Sequence, residues 1–416
     1  MSKLRIAFCG NVANALFPLA QVLRAAGIDA HLFIDSRDPA RWRPETDDPG
    51  LAGEYPGWIH EGSWIRNVDF IYPGRAPLIR ELDGFDLVVG SGNTPMLSPY
   101  VDAPFVFYAT GADLTRQPFP IAFASSREGV RSKVGHGMLA MWQRRGIRGA
   151  SQIWTQPFAP LLDALDRLNV DSGRIADSYF PLIVDTDLFT PTPETDPRWA
   201  ADLRAGADFV VLHPSRLVLD ESPLMLRSGQ AKGSASILAG FAEFVHSRTV
   251  DNPVIILPAA DRGAKDAAQL VDTLGIRNHV VWAEAPRSSG FHRTEMVHLY
   301  GAADVTVNEL GAGWFGWAAL ESMSCGVPVI SRIDHRGIAQ LYGEDWEWIH
   351  AADSEDLAIE LAKLASDPSA RALKGARSRE WILRHHAADT AGERIVASIT
   401  AAAQSLIPGL EPASHR

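Results

Sequence analysis

The chain has 416 residues, 46% of them apolar and 21% charged, and a formal net charge of −11. Such a length suits two domains of about 200 residues, each large enough for its own core, and the composition is that of a soluble globular protein. The acidic balance excludes nucleic acid as a general partner, because neutralising phosphates requires a basic face.

The first elements form a βαβ unit. Residues 4–8 read as a buried strand, 10–14 as a turn, 15–26 as an amphipathic helix closed by Gly27, and 30–34 as a second strand. The stretch 41–67 is rich in Pro, Gly, Asp and Trp without a period and reads as a long loop. Its Trp42, Trp58 and Trp64 fit either a small satellite core or an acceptor-binding wall. Further strands are expected at 87–89 and 105–108. Between 127 and 148, Arg127, Arg131, Lys133, Arg144, Arg145 and Arg148 interleave with Met138, Leu139, Met141 and Trp142. Two readings stay open there: a surface for an anionic membrane, or an ordinary amphipathic helix with its apolar face in the core. Gly129, Gly135, Gly137 and Gly146 argue against one long helix.

Residues 187–207 turn to Thr and Pro and read as an interdomain linker. A second series follows, with strands at 209–212, 254–257, 279–283, 304–307 and 327–331 and helices at 235–245, 264–274, 295–300 and 317–324. Regular alternation implies a second, mostly parallel, doubly wound sheet. Helices near 354–365 and 387–404 close the chain.

Cys9 and Cys325, the only cysteines, lie in apolar segments and read as buried thiols of a reducing compartment, not as a disulfide or metal pair. No run approaches the roughly 18 apolar residues of a membrane span. Residues 1–10 meet glycine and asparagine too soon for a secretory signal, so a cytoplasmic location is expected.

The richest segment is 304–330, in which an apolar strand enters a glycine turn, the turn opens a helix carrying Glu321, and a β-branched strand follows. Helix N-termini beside a sheet's carboxyl edge offer unpaired N–H groups to anions and hydroxyls. Gly313-Trp314-Phe315-Gly316, Glu321 and Cys325-Gly-Val-Pro328 resemble the donor-site signature of family 4 glycosyltransferases of the GT-B fold. The resemblance extends to 180–191, a hinge-like segment, to Arg216 followed by Lys232-Gly233, and to Leu299-Tyr-Gly-Ala-Ala-Asp304.

The resemblance implies two Rossmann-like doubly wound domains facing a central cleft, an acceptor-binding one at 1–186 and a nucleotide-sugar donor-binding one at 187–392, with a final helix near 393–416 crossing back to the first. It implies a metal-independent, retaining transfer from a nucleotide diphosphate sugar such as a UDP- or GDP-sugar to a sugar, lipid-linked or small-molecule acceptor. Arg216 and Lys232 would stabilise the leaving diphosphate, and Glu321 would hold the ribose. The turn Gly313, Trp314, Phe315 and Gly316 would give backbone N–H groups to the sugar, and Gly10 and Asn11 would lie under the phosphates. Arg287 would sit by the base.

The chain departs from the family twice. The signature's first glutamate falls on Gly313, and Glu309 stands where it would supply the lost contact. The family's histidine falls on Thr110, which hydrogen-bonds a hydroxyl but carries no proton at neutral pH. Thr110 and Asp113 are therefore read as positioning groups. Two competitors remain: an NAD(P)-dependent oxidoreductase using Gly311-x-Gly313-x-x-Gly316 with Asp334 on the ribose, and a catalytically impaired GT-B protein that only binds nucleotide sugar.

Overall fold

The computed structural model describes residues 4–120, 130–176, 181–191, 202–204, 206–285, 290–311, 313–344 and 348–410, the side chains of 130–132 excepted. The chain divides into two compact units, 1–181 with 391–416, and 182–390.

The first unit is built on β1 (Arg5–Cys9), β2 (Asp29–Asp35), β3 (Ile59–Gly62), β4 (Leu87–Gly90), β5 (Phe105–Tyr108) and β6 (Gln152–Trp154), all parallel in the order β3-β2-β1-β4-β5-β6. Strands such as Phe-Val-Phe-Tyr are buried along their whole length, as a parallel sheet covered on both faces demands. The core gathers Phe105, Phe107, Ile147, Ile153 and Leu161, each fully buried apolar side chain contributing about 1.5–3 kcal/mol.

Two features of this unit depart from the sequence reading. Strand β3 lies inside the expected loop, an edge strand whose alternating burial over only four residues leaves little pattern. Residues Val130–Gly149 form a single helix despite their glycines. One of those glycines explains itself: a Cβ on Gly146 would stand 1.7 Å from the Pro95 carbonyl oxygen, so the helix crosses the 94–100 turn only where a side chain is missing.

The second unit carries β7 (Phe209–Leu212), β8 (Pro253–Pro258), β9 (Val280–Ala283), β10 (Val305–Val307), β11 (Val329–Ser331) and β12 (Ile349–His350) in the order β12-β11-β10-β7-β8-β9. Every pairing is parallel. Read from the other edge, this is the strand order of the first sheet. Helices Ser234–Ser247 and Ser354–Ser366 cover one face around Phe241, Phe244 and Leu357. The helix Pro368–His385, unmarked in the sequence reading, is started by Asp367, whose side chain accepts from the Ala370 N–H. The unit boundaries fall five residues before, and two residues before, those expected at 186 and 392 (186 − 181, 392 − 390). Both cysteines are free and buried. Among the described residues no helix is long and apolar enough to cross a membrane.

Candidate functional site

In doubly wound sheets, ligands bind beyond the strands' carboxyl ends where the order reverses. In the second unit that point lies between β7 and β10, which are neighbours. His213 follows β7 and is fully buried. Its Nδ1 lies 2.9 Å from the Val307 carbonyl and its Nε2 3.3 Å from the Ser234 hydroxyl. Burial pushes its pKa down to about 4, so the ring is neutral at pH 7. A carbonyl only accepts, so Nδ1 carries the proton and Nε2 accepts from Ser234. One imidazole thus ties β7, β10 and the helix Ser234–Ser247 together.

The loops beyond these elements meet backbone to backbone. The Leu310 N–H donates to the Lys232 carbonyl at 3.1 Å. A Cβ on Gly311 would lie 2.3 Å from the Ala231 carbonyl oxygen, and one on Gly233 would lie 2.9 Å from the Gly311 nitrogen, so the approach requires glycine on both sides. Across this junction the Lys232 ammonium pairs with the Glu309 carboxylate, whose side chain is 6% exposed. The two residues are 77 positions apart in sequence. Arg216 lies on the β7 side of the junction, exposed, and no described residue pairs with its guanidinium.

The glycine turn leads into the helix Trp317–Ser324. Trp314 and Phe315 are 3% and 5% exposed and stack at 4.9 Å, with Phe315 also against Trp348. Their rings therefore anchor the turn in the core, which leaves backbone groups as the part of these two residues suited to a ligand. Gly313 accepts from the Asp334 N–H at 3.2 Å, and Gly316 directly precedes the helix. Glu321 is 6% exposed. Arg293 Nη2 stands 3.2 Å from its Oε1, and the Tyr300 hydroxyl donates to its Oε2 at 3.0 Å. Arg293 in turn lies over the Phe189 and Trp317 rings, each 5.3 Å from the guanidinium carbon. These two partners hold the carboxylate by both of its oxygens. Burial, with the Glu321 charge, pushes the Tyr300 hydroxyl pKa well up and keeps it a donor. Arg287 lies outside the described residues.

In the first unit, Asp113 is 3% exposed and accepts from the N–H groups of Gly92, Thr110 and Gly111 and from the Thr110 hydroxyl, all between 2.9 and 3.2 Å. Burial nonetheless raises its carboxyl above the usual range. Its work is to lash the turn after β5 to the loop after β4, and Gln143 seals the junction with 2.7 Å to the Gly92 carbonyl. Thr110 is half-buried beside it. The side chain of Asn11 is fully used within the fold: its Oδ1 accepts from Leu16 N and Phe17 N, and its Nδ2 donates to Asn14 and Trp42. It caps the helix Leu16–Ala25 instead of reaching outward, while Gly10 accepts through its carbonyl from the Ser91 hydroxyl.

Along Val130–Gly149, Leu139 and Ile147 face the core while Lys133, Val134, Met141, Arg145 and Arg148 are exposed. Arg144 and Arg148 donate to the Pro118 and Leu168 carbonyls. Arg127 lies outside the described residues, as does the side chain of Arg131.

The sequence reading passed over Arg293, Tyr300 and the neutral His213. Tyr300 leaves a trace in the segment Leu299-Tyr-Gly-Ala-Ala-Asp304, and His213 as a polar residue ending the apolar run Phe209–Leu212. Among the described residues no cluster of three His, Cys, Asp or Glu side chains is placed to hold a metal.

Residues 245–381 match the family model described as Glycosyl transferases group 1. The chain is 34% identical over 136 residues to a D-inositol 3-phosphate glycosyltransferase of Thermobifida fusca, covering 32% of this chain and 29% of that protein. It is 25% identical over 225 residues to a GDP-mannose-dependent alpha-(1-6)-phosphatidylinositol monomannoside mannosyltransferase of Mycolicibacterium smegmatis, covering 52% and 54%. The matched stretches thus span at most about half the length of these curated relatives. A solved glycosyltransferase structure from Rickettsia africae ESF-5 aligns with a TM-score of 0.65 over 99% of this chain and 100% of that chain, at 13% identity. Together with the two six-stranded parallel sheets, such neighbours make the fold GT-B, with two Rossmann-like α/β domains.

Proposed function

We propose that this protein is a family 4-like glycosyltransferase, moving a sugar from a nucleotide diphosphate sugar to an acceptor with retention of anomeric configuration, in glycan, glycolipid or glycoconjugate biosynthesis. The observation that supports the reading best is the Lys232–Glu309 pair at the switch point of the second sheet. Two segments that separately resemble donor-site elements meet there. A leaving nucleoside diphosphate gains negative charge as the glycosidic bond breaks, and Lys232 with the unpaired Arg216 stabilises that charge more in the transition state than before it. This cationic pair stands in for a divalent ion, so the reaction needs no metal. Glu309 receives hydroxyls of the transferred sugar, Glu321 those of the ribose, and the turn from Gly313 to Gly316 supplies backbone N–H groups. In the first unit Asp113 with Thr110 acts by positioning its loop. The enzyme works in the cytoplasm, with Val134 and Met141 and their basic neighbours touching a membrane surface.

The dinucleotide reading has a specific observation against it. The Asp334 carboxylate that a ribose would require instead caps the helix His335–Tyr342, accepting from Arg336 N and Gly337 N. Calorimetric titration with UDP, GDP and NADH tests the choice. A nucleoside diphosphate should bind and NADH should not. Arg216→Ala should weaken that binding about tenfold, or 1.4 kcal/mol, with an unchanged unfolding midpoint, since an exposed unpaired side chain contributes within about 0.5 kcal/mol to stability. NADH binding, or an affinity indifferent to Arg216, overturns the assignment. Nucleotide release from a panel of nucleotide sugars separates an enzyme from a pure binder.

A further inference from the structure

A cavity of about 280 Å³ opens at the carboxyl edge of the first sheet, close to the lower end of the about 300–1,000 Å³ common for ligand pockets. Its walls come from the carboxyl ends of β1, β2, β3 and β4 and the residues just after them, among them Gly10, Asp35, Trp64 and Asn93. Because β1 and β4 are neighbours, this is the reversal point of that sheet, where a doubly wound fold places ligands.

The lining is aromatic and acidic. Trp42 and Trp64, both half-buried, line the cavity, and Trp64 meets the buried Phe33 edge-on. Arg37 is the one basic side chain among the described lining residues, and its guanidinium is taken: Nε and Nη2 lie 2.8 and 3.0 Å from Asp35. Asp35 also accepts from Trp64 N and Ile65 N at 3.1 and 3.3 Å, so it builds the wall and carries no net charge beyond its partner. Asp38 is different. One of its oxygens accepts from the Asp35 N–H at 3.0 Å, and no described residue occupies the other. Burial, with the neighbouring Asp35 charge, holds its carboxyl above the usual range. Asn93 adds a buried Oδ1 without a hydrogen-bond partner.

Aromatic surface takes the apolar face of a sugar ring, and carboxylate and amide oxygens take hydroxyl protons. A phosphate brings no such protons and meets a surplus of negative charge. Resting on the glycosyl-transfer reading, whose family resemblance already puts the acceptor on this unit, we infer that the acceptor taken in this cavity is an uncharged sugar or polyol, not a phosphorylated one.

Saturation-transfer NMR on the full chain tests this with methyl α-D-mannopyranoside and myo-inositol against their monophosphates. At least one neutral probe should bind and the monophosphates should not. Trp42→Ala should weaken the neutral probe about tenfold, whereas Trp42→Phe should retain it; both keep the backbone carbonyl to which Asn11 donates. The same samples are titrated with UDP and GDP. Neutral binding that depends on Trp42 upholds the subsite even where no nucleotide binds, an outcome that removes only the donor assignment. Tighter binding of a monophosphate, absence of binding by both neutral probes, or a Trp42→Ala affinity equal to wild type overturns the proposal.

Discussion

The two sheets share one strand order, yet their reversal points are finished in opposite ways. In the second unit a cation from one loop meets a carboxylate from another, and the exposed Arg216 follows β7 with no described residue paired to its guanidinium. In the first, the buried carboxylate Asp113 is met by backbone N–H groups and a hydroxyl, and the open space nearby is walled by tryptophans and Asp38. The difference teaches that one scaffold can carry loops of opposite charge at the same place, which is why an anion is proposed for one edge and a neutral polyol for the other.

The sharpest way to break this contrast is to remove a carboxylate from each unit. Glu321→Leu should cost about 3–5 kcal/mol, because it breaks a buried ion pair, Arg293 Nη2 standing 3.2 Å from the carboxylate; urea unfolding measures it, and a loss below 1 kcal/mol would show that the pair contributes little to the fold. Asp113→Ala should cost about 2–3 kcal/mol by stranding buried N–H groups. Because that carboxylate serves its own loops, nucleoside diphosphate affinity should stay at the wild-type value, and a tenfold fall would mean the two edges are not independent.

A pH series sharpens the comparison further. The His213 pKa is depressed in the folded protein from 6.5 to about 4, so the unfolded chain takes up the proton first. Its contribution to stability is complete above pH 6.5 and declines as pH falls toward 4, by about 1.4 kcal/mol per pH unit. Subtracting the same series for His213→Asn isolates this slope; a difference curve that is flat between pH 6.5 and 4 would place the ring in contact with solvent.

Much of the architecture can be read from residue pattern because parallel strands buried on both faces leave unbroken apolar runs, as at Phe105–Tyr108 and Pro253–Pro258. Strand β3 is invisible for the converse reason, being a short edge with alternating burial. The helix Val130–Gly149 was hidden by glycines whose reason for being there, at Gly146, is a carbonyl from a distant turn. In the candidate site, motif order points to Lys232, Glu309 and Glu321, but nothing local predicts which charges pair. Lys232 finds Glu309 and Glu321 finds Arg293, contacts across 77 and 28 positions (321 − 293) that only the strand order creates. Trp314 and Phe315 look equally suited to ligand or core until their neighbours Trp348 and His386 are known.

The crossing at Gly146 bears on any attempt to engineer this molecule. Exposed positions along that helix, such as Lys133, Val134 and Met141, can be exchanged without disturbing the core, so their proposed membrane contact can be altered apart from the fold. At Gly146 even alanine would wedge the helix away from Pro95 and the turn that seats it, so a mutational library across the segment should hold this one codon fixed.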